Sequence, residues 1–414
     1  MKILHTSDWH IGRTLHGRKR YGEFESFLDW LAGLLEEEGV DVLLVAGDVF
    51  DNTTPSNRAQ ELYYRFLHRA AASPGRHVVV TAGNHDSPSF LNAPRELLTF
   101  LNIHVVGAPS SELSDEVLLL SDPHGAPLLL VCAVPYLRDR DIRTAEAGES
   151  VADKERKIVE GIRAHYHGVC GEAVRRRSTL ETPVPIVAMG HLFTAGGLTM
   201  DGDGVRELYI GTLLQVGMDV FPPWIDYLAL GHLHIPQPVG GSAYIRYSGS
   251  PLPLGFGEEK QEKSVVLVEL PGAQPSVRTV AVPRFQELRT LKGDWPSLAR
   301  DIEGLKDGGS RAWIEVVYEG NEVAGDLQAR LKEAVEGSGL EILRVKNNRV
   351  LERVLGGMNS SESLDDLEAA EVFRRCLDAH EVPEEERPAL LAAYGEIVVS
   401  LNEGDPLEER EAGP

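Results

Sequence analysis

Five short polar clusters carry residue types able to do chemistry: Asp8-Trp9-His10, Gly47-Asp48, Gly83-Asn84-His85-Asp86, Gly190-His191 and Gly231-His232-Leu233-His234. Each follows directly on an apolar run of strand character, and in α/β sheets ligands collect at the carboxyl ends of strands. A lone Gly-His or Gly-Asp is more often an ordinary loop. Five such clusters at five expected strand ends form a specific pattern, comparable in information to a paired CxxC zinc motif. In all but the first cluster a glycine precedes the polar residues, which lets the backbone turn sharply toward a bound ion.

The residue types define the chemistry. Imidazole nitrogen and carboxylate oxygen together suit borderline divalent ions such as manganese, iron or zinc, whereas magnesium takes oxygen almost alone. The candidate ligands are Asp8, His10, Asp48, Asn84, His191, His232 and His234, a set that favours two ions of the manganese type. Asp48 is expected to bridge, its two oxygens serving cations roughly 3.5–4 Å apart. Two divalent cations against the carboxylates of Asp8 and Asp48 leave a positive site that holds a phosphate and lowers the pKa of a bridging water. In-line attack on phosphorus then needs a proton donor for the departing oxygen, the role assigned to His85, with Asp86 either orienting its ring or serving as a turn or helix cap. The expected activity is hydrolysis of a phosphoester. A non-catalytic scaffold is the poorer alternative, because the ligand set is complete.

The elements that position these residues follow from periodicity. Lys2 to Ser7, Val40 to Ala46 and His77 to Ala82 read as buried strands; Phe24, Phe27, Leu28, Leu31, Leu34 and Leu35 recur at helical spacing before Gly39, and a second helix is expected from Ser56 to about Ala71. Further strands are expected at Leu128 to Val134, Pro185 to Met189, Tyr227 to Leu230, Ala243 to Tyr247 and Ser264 to Leu270, with a helical insertion around Ala152 to Val174. This is a layered α/β pattern. A core domain is expected over 1–282 and a small α/β unit over 283–347, its strands at Phe285 to Leu291, Ala312 to Tyr318 and Leu340 to Val345. An acidic pair of amphipathic helices is expected over 348–414. It either docks on the rest of the chain or grips a partner helix.

Composition sets the outer bounds. The chain has 414 residues, a formal net charge of -23 and three well-separated cysteines, Cys132, Cys170 and Cys376. These exclude a disulfide framework and a protein that coats nucleic acid by bulk electrostatics, but not a local cationic site. No apolar run is long enough to span a bilayer, and a cleaved leader is not expected because its loss would remove Asp8 and His10. A cytoplasmic location is expected.

The motifs Asp8-Trp9-His10, Gly47-Asp48-Val49-Phe50-Asp51, Gly83-Asn84-His85-Asp86-Ser87-Pro88 and Gly231-His232-Leu233-His234 resemble those of the calcineurin-like metallophosphoesterases. The fuller strings HTSDWHIGR, AGDVFD, GNHDSP and YSGSPLPLGFGE are similar to the bacterial branch that repairs double-strand breaks together with a coiled-coil ATPase. The resemblance implies two sheets flanked by helices, a capping domain, and carboxyl-terminal helices that clasp the ATPase coiled coil. It also implies that Asp8, His10, Asp48 and His234 bind one ion, that Asp48, Asn84, His191 and His232 bind the other, and that His85 is catalytic without being a permanent ligand. The implied activity is manganese-dependent: 3'-to-5' exonuclease on duplex DNA and endonuclease on single strands and hairpins, in a homodimer. Archaeal and eukaryotic relatives carry a histidine where this chain has Asp51, so a phosphate-contacting role is not carried over to that position.

From the residues alone, support for DNA is confined to the basic loop of Arg13, Arg18, Lys19 and Arg20 beside the first metal motif, for which an ordinary solvated turn is the plainer reading. A phosphatase or cyclic-nucleotide phosphodiesterase on the same core is the alternative, and the added carboxyl-terminal domains speak against it.

Overall fold

The computed structural model describes residues 1–144, 149–194, 197, 216–270, 275–320 and 324–347, with seven positions beyond them (374, 377, 387, 388, 390, 391 and 394). The chain divides into two compact units, Met1–Leu288 and Arg289–Pro414. The expected tail helices over 348–414 lie outside the described residues except for those seven positions.

The first unit is built on two six-stranded sheets. One runs in the order Ser276–Ala281, Ser264–Glu269, Lys2–Thr6, Val42–Ala46, His77–Thr81, Ile103–Val106. The other runs Gln237–Val239, Ser242–Tyr247, Tyr227–Gly231, Ile186–His191, Pro127–Ala133, Val117–Ser121. Four neighbouring strands in each are parallel, and the remaining strands are antiparallel additions at the edges. The α/β class and two-sheet core expected from the motifs are therefore borne out.

Strand alternation explains why the sheets stack. Ile3, Val42, Leu44, Ala46 and Val79 face one way and meet Val131, Ala133, Val187, Met189, Tyr227 and Ala229 of the other sheet in a shared core. The intervening Leu4, Leu43, Val45, Val78 and Val80 face outward, under the helices Tyr21–Glu37 and Asn57–Ala70. Leu130, Cys132, Ile186, Ala188, Leu228 and Leu230 lie under the long helix Val151–Ser178. The helix ends follow local chemistry: Ser56 Oγ accepts from Ala59 N at 3.2 Å at one start, and Gly39, with φ of +61°, follows the end of Tyr21–Glu37.

The second unit has strands Leu288–Gly293, Trp313–Tyr318 and Glu341–Asn347 in one sheet, with helices Trp295–Asp307 and Ala324–Val335. Leu298, Ile302, Ile314, Val316, Leu327 and Leu331 form its separate core. Sequence periodicity missed the edge strands Ser276–Ala281, Val117–Ser121 and Gln237–Val239, as well as the strand Ile103–Val106 and the hairpin of Thr14–Leu15 with Arg18–Lys19. Among the described residues no helix is long and apolar enough to cross a membrane.

Candidate metal centre

The parallel strands Lys2–Thr6, Val42–Ala46, His77–Thr81, Ile186–His191 and Tyr227–Gly231 deliver the polar clusters from their carboxyl ends. The loops there continue the strand pairing: Asp8 N donates to Gly47 O at 3.0 Å, His10 N to Asp48 O at 3.0 Å, and Ile11 N to Val49 O at 2.9 Å. Asp8, His10, Asp48 and His232 all sit at positive φ, between 47° and 102°, a conformation that costs energy for a side chain other than glycine. Sharp turning is thus done by the candidate ligands themselves. Of the glycines before the clusters only Gly47 has positive φ; the others supply room, which corrects the expectation that they turn the chain. A Cβ on Gly231 would meet the Ala46 carbonyl, and one on Gly83 would meet the Asp48 carboxylate.

All seven candidate ligands converge. One donor atom each from Asp8, His10 and His234 lies within 4.8 Å of the others, as is true of Asp8, Asp48 and His191. Asn84 Oδ1 lies 3.0 Å from His191 Nε2 and 3.0 Å from His232 Nδ1. Asp48 stands between the groups, with Oδ2 3.6 Å from His10 Nε2 and 3.2 Å from His191 Nε2. Its Oδ1 accepts the His85 N–H at 2.8 Å. One oxygen, rather than two, faces both groups, because the loop of the third cluster occupies the other.

The candidate ligand side chains are held from behind. His191 Nδ1 donates to Ala46 O at 3.0 Å, which turns Nε2 inward. Asp8 accepts from Ser7 Oγ at 2.5 Å and from the His232 N–H at 2.9 Å, and Ser7 Oγ also meets Ser248 Oγ at 2.8 Å. His234 Nδ1 lies 3.8 Å from Glu258 Oε1, and buried Lys263 ties this corner together by pairing with Glu258 at 2.5 Å and donating to His234 O at 3.0 Å. Ser248 and Glu258 belong to the YSGSPLPLGFGE string, whose residues were singled out only through resemblance.

The electrostatics match a cation site. Burial, reinforced by Asp48, pushes the Asp8 carboxyl up to about 7 against the pull of His191. Burial alone would raise Asp48 too, but the imidazoles of His191, His10 and His85 hold it well below the usual carboxylate range. Burial works to lower His191, yet the Asp48 carboxylate raises it to about 9. Burial and the neighbouring His191 lower His232 to about 3. Buried His10 has no hydrogen-bond partner on either ring nitrogen. Unsatisfied imidazole nitrogens facing crowded carboxylates are a donor set that fits divalent cations.

His85 comes to the edge of this group, its ring centroid 4.9 Å from that of His10. Its Nδ1 donates to the Asp51 carbonyl at 2.9 Å, so Nε2 is the nitrogen left for chemistry. Asp86 does not touch that ring. Its carboxylate accepts from Val49 N, Phe50 N and Gly83 N at 3.1, 3.0 and 2.9 Å, fastening the second and third cluster loops together. Burial and Asp48 push its carboxyl up to about 6 against those three donors. The turn-forming reading of Asp86 therefore describes its contacts, and the ring-orienting reading does not.

The basic loop divides. Arg20 is buried, with Nε and Nη2 on Glu23 at 2.7 and 2.9 Å and its guanidinium over the Phe24 ring, so it does not face a ligand as expected. Arg13 is half-withdrawn into an ion pair with Asp51 at 3.1 Å. Arg18 and Lys19 are exposed. Arg175 and Arg176 lie at the far end of the long helix, on Glu172 and on the Val117 carbonyl.

Comparison with known proteins agrees with this geometry. Residues 1–236 match the model of the calcineurin-like phosphoesterases, and residues 284–381 match that described as the type 5 capsule protein repressor C-terminal domain, SbcD_C. The chain is 38% identical over 394 residues to the SbcD component of nuclease SbcCD from Escherichia coli strain K12, covering 94% of this chain and 96% of that one. Its identity is 40% over 290 residues to the SbcD of Rhodobacter capsulatus (69% and 70% covered) and 33% over 321 residues to that of Bacillus subtilis (76% and 78% covered). With its candidate ligands gathered at the strand ends of two sheets and a relative matching along 94% of its length, the chain belongs to the calcineurin-like phosphoesterase family, in the branch of the SbcD proteins of nuclease SbcCD.

Proposed function

We propose that this protein is a manganese-dependent DNA nuclease that acts with an SbcC-type ATPase in DNA repair, recombination and replication. It would be a 3'-to-5' exonuclease on duplex DNA and an endonuclease on single strands and hairpins. The observation that carries the reading is the convergence of the seven candidate ligands, with Asp48 Oδ2 lying between His10 and His191, in a chain 38% identical to a component of a named nuclease. When bound, the two cations supply Lewis acidity toward a phosphate oxygen and hydroxide at neutral pH. Asp8, His10, Asp48 and His234 would hold one, and Asp48, Asn84, His191 and His232 the other. His85, fixed through Nδ1 on the Asp51 carbonyl, presents Nε2 to give a proton to the departing oxygen. Arg18 and Lys19 are placed on an exposed hairpin next to the first cluster, where they would meet backbone phosphates.

Exposed Leu97, Phe100 and Leu101 support pairing of two copies: Phe100 is 87% and Leu97 69% exposed, adjacent on one short segment. The ATPase is proposed to engage residues 348–414, and the protein to work in the cytoplasm.

The test is digestion of end-labelled linear duplex by the manganese-loaded protein, alone and with the ATPase. Cleavage abolished by chelation is expected. Hydrolysis of small phosphoesters with DNA left intact would favour the phosphatase reading instead. His85→Gln should lower turnover about 10²–10⁴-fold while manganese content by elemental analysis stays at the wild-type level; loss of metal with activity would make His85 a ligand.

A further inference from the structure

Asp51, at the end of the loop after Val42–Ala46, touches both halves of the proposed machinery by different atoms. Its carboxylate Oδ1 lies 3.4 Å from His10 Nδ1, whose ring directs the opposite nitrogen, Nε2, at Asp48 Oδ2 3.6 Å away. Arg13 Nη1 sits 3.1 Å from the same Oδ1 and pins it. The main-chain carbonyl of Asp51 accepts from His85 Nδ1 at 2.9 Å. The residue is tied in turn to the first cluster loop, its N–H donating to Ile11 O at 3.4 Å.

We propose that Asp51 is a positioning residue with two separable duties: its carboxylate fixes which nitrogen of His10 faces the cation, and its carbonyl fixes which nitrogen of His85 faces the substrate. A carboxylate behind a ligating imidazole holds the proton on the far nitrogen, orients the ring and raises its basicity. Among the described residues neither His10 nitrogen has a hydrogen-bond partner, and Asp51 Oδ1, 3.4 Å from Nδ1, is the carboxylate oxygen that faces that side of the ring and can close on it when a cation draws Nε2 forward. The carbonyl has no side-chain counterpart and survives any substitution at position 51. Replacing the side chain should therefore weaken the cation site and leave His85 in place.

This inference rests on the metal-centre reading but not on DNA as the substrate, and manganese binding measured without DNA keeps the two apart. Free manganese is titrated by electron paramagnetic resonance against the full-length wild type, Asp51→Ala and Asp51→Asn, with folding checked by circular dichroism. Asp51→Ala is expected to weaken binding about 10–100-fold. Asp51→Asn, close in shape and still able to accept from Nδ1, is expected to lose less but at least about threefold, and it decides the matter if the alanine variant does not fold. Because the carbonyl still holds His85, activity lost by either variant at limiting manganese should be regained in large part as manganese is raised, which a collapse of the site would not allow. Unaltered manganese affinity in Asp51→Asn and Asp51→Ala overturns the proposal. So does normal affinity with a raised KM for DNA, which would turn the carboxylate toward substrate. A wild type that binds manganese yet cuts no DNA would remove the nuclease reading and leave this one intact.

Discussion

At the scale of residues, the centre stores charge that a cation relieves. His191 keeps a proton up to about 9 because Asp48 outweighs the effect of burial, and Asp8 keeps one up to about 7. Both values lie above those of the unfolded chain, so in the metal-free protein their stabilising contributions are complete at low pH. They are lost as pH rises through about 7 for Asp8 and about 9 for His191. A cation binding at His191 Nε2 must displace that proton, so manganese affinity should fall roughly tenfold for each pH unit below 9, and more steeply below 7 where Asp8 also holds a proton. Calorimetric titration between pH 6 and 8.5 checks this, and an affinity independent of pH would contradict it. The convergence of the candidate ligands was legible in the sequence because imidazole, carboxamide and carboxylate at strand ends are unusual residue types in a repeated position. Asp51 was not, since a main-chain carbonyl that orients His85 leaves no mark on residue type. Arg20 was misread for a different reason: a basic run looks solvated until its partner is counted, and Glu23, three residues on, supplies that partner.

At the scale of elements, strand ends are brought so close that the side chain of glycine alone fits between some of them. Gly231→Ala places a methyl against the Ala46 carbonyl, a backbone atom with little freedom to yield. The expected cost is about 1–3 kcal/mol in chemical denaturation, accompanied by weaker manganese binding because His232 and His234 follow directly. A neutral effect would mean that the two sheets tolerate separation at this edge. The buried parallel strands were legible as continuous apolar runs, such as Val42–Ala46, in which every residue is buried. Edge strands were not: in Ser276–Ala281 four of six residues are exposed, and their polar alternation resembles a loop. Long helices with a clear apolar stripe were found to within a few residues, whereas Pro88–Asn92 and Arg95–Thr99 are too short to show a period.

At the scale of the molecule, the exposed apolar segment gives the proposed homodimer a direct test. Phe100→Asp with Leu97→Asp should shift the protein toward monomer in sedimentation velocity while leaving manganese content unchanged, since neither residue lies among the ligands. An unchanged sedimentation coefficient would place the pairing surface elsewhere. The two-sheet architecture was implied by the resemblance to the metallophosphoesterases, whereas periodicity gave only a layered α/β pattern and does not say which strands neighbour one another. Lys2–Thr6 pairs with Val42–Ala46 on one side and with the distant Ser264–Glu269 on the other.

That last pairing bears on biosynthesis. Asp8 accepts the amide of His232, 224 positions later, and the first strand gains its second neighbour only when Ser264–Glu269 has emerged. A growing chain on the ribosome therefore carries Asp8, His10 and Asp48 long before it can close a metal cage around them. The candidate ligand set is complete only once His232 and His234 have been synthesised, so the site is expected to assemble late in translation.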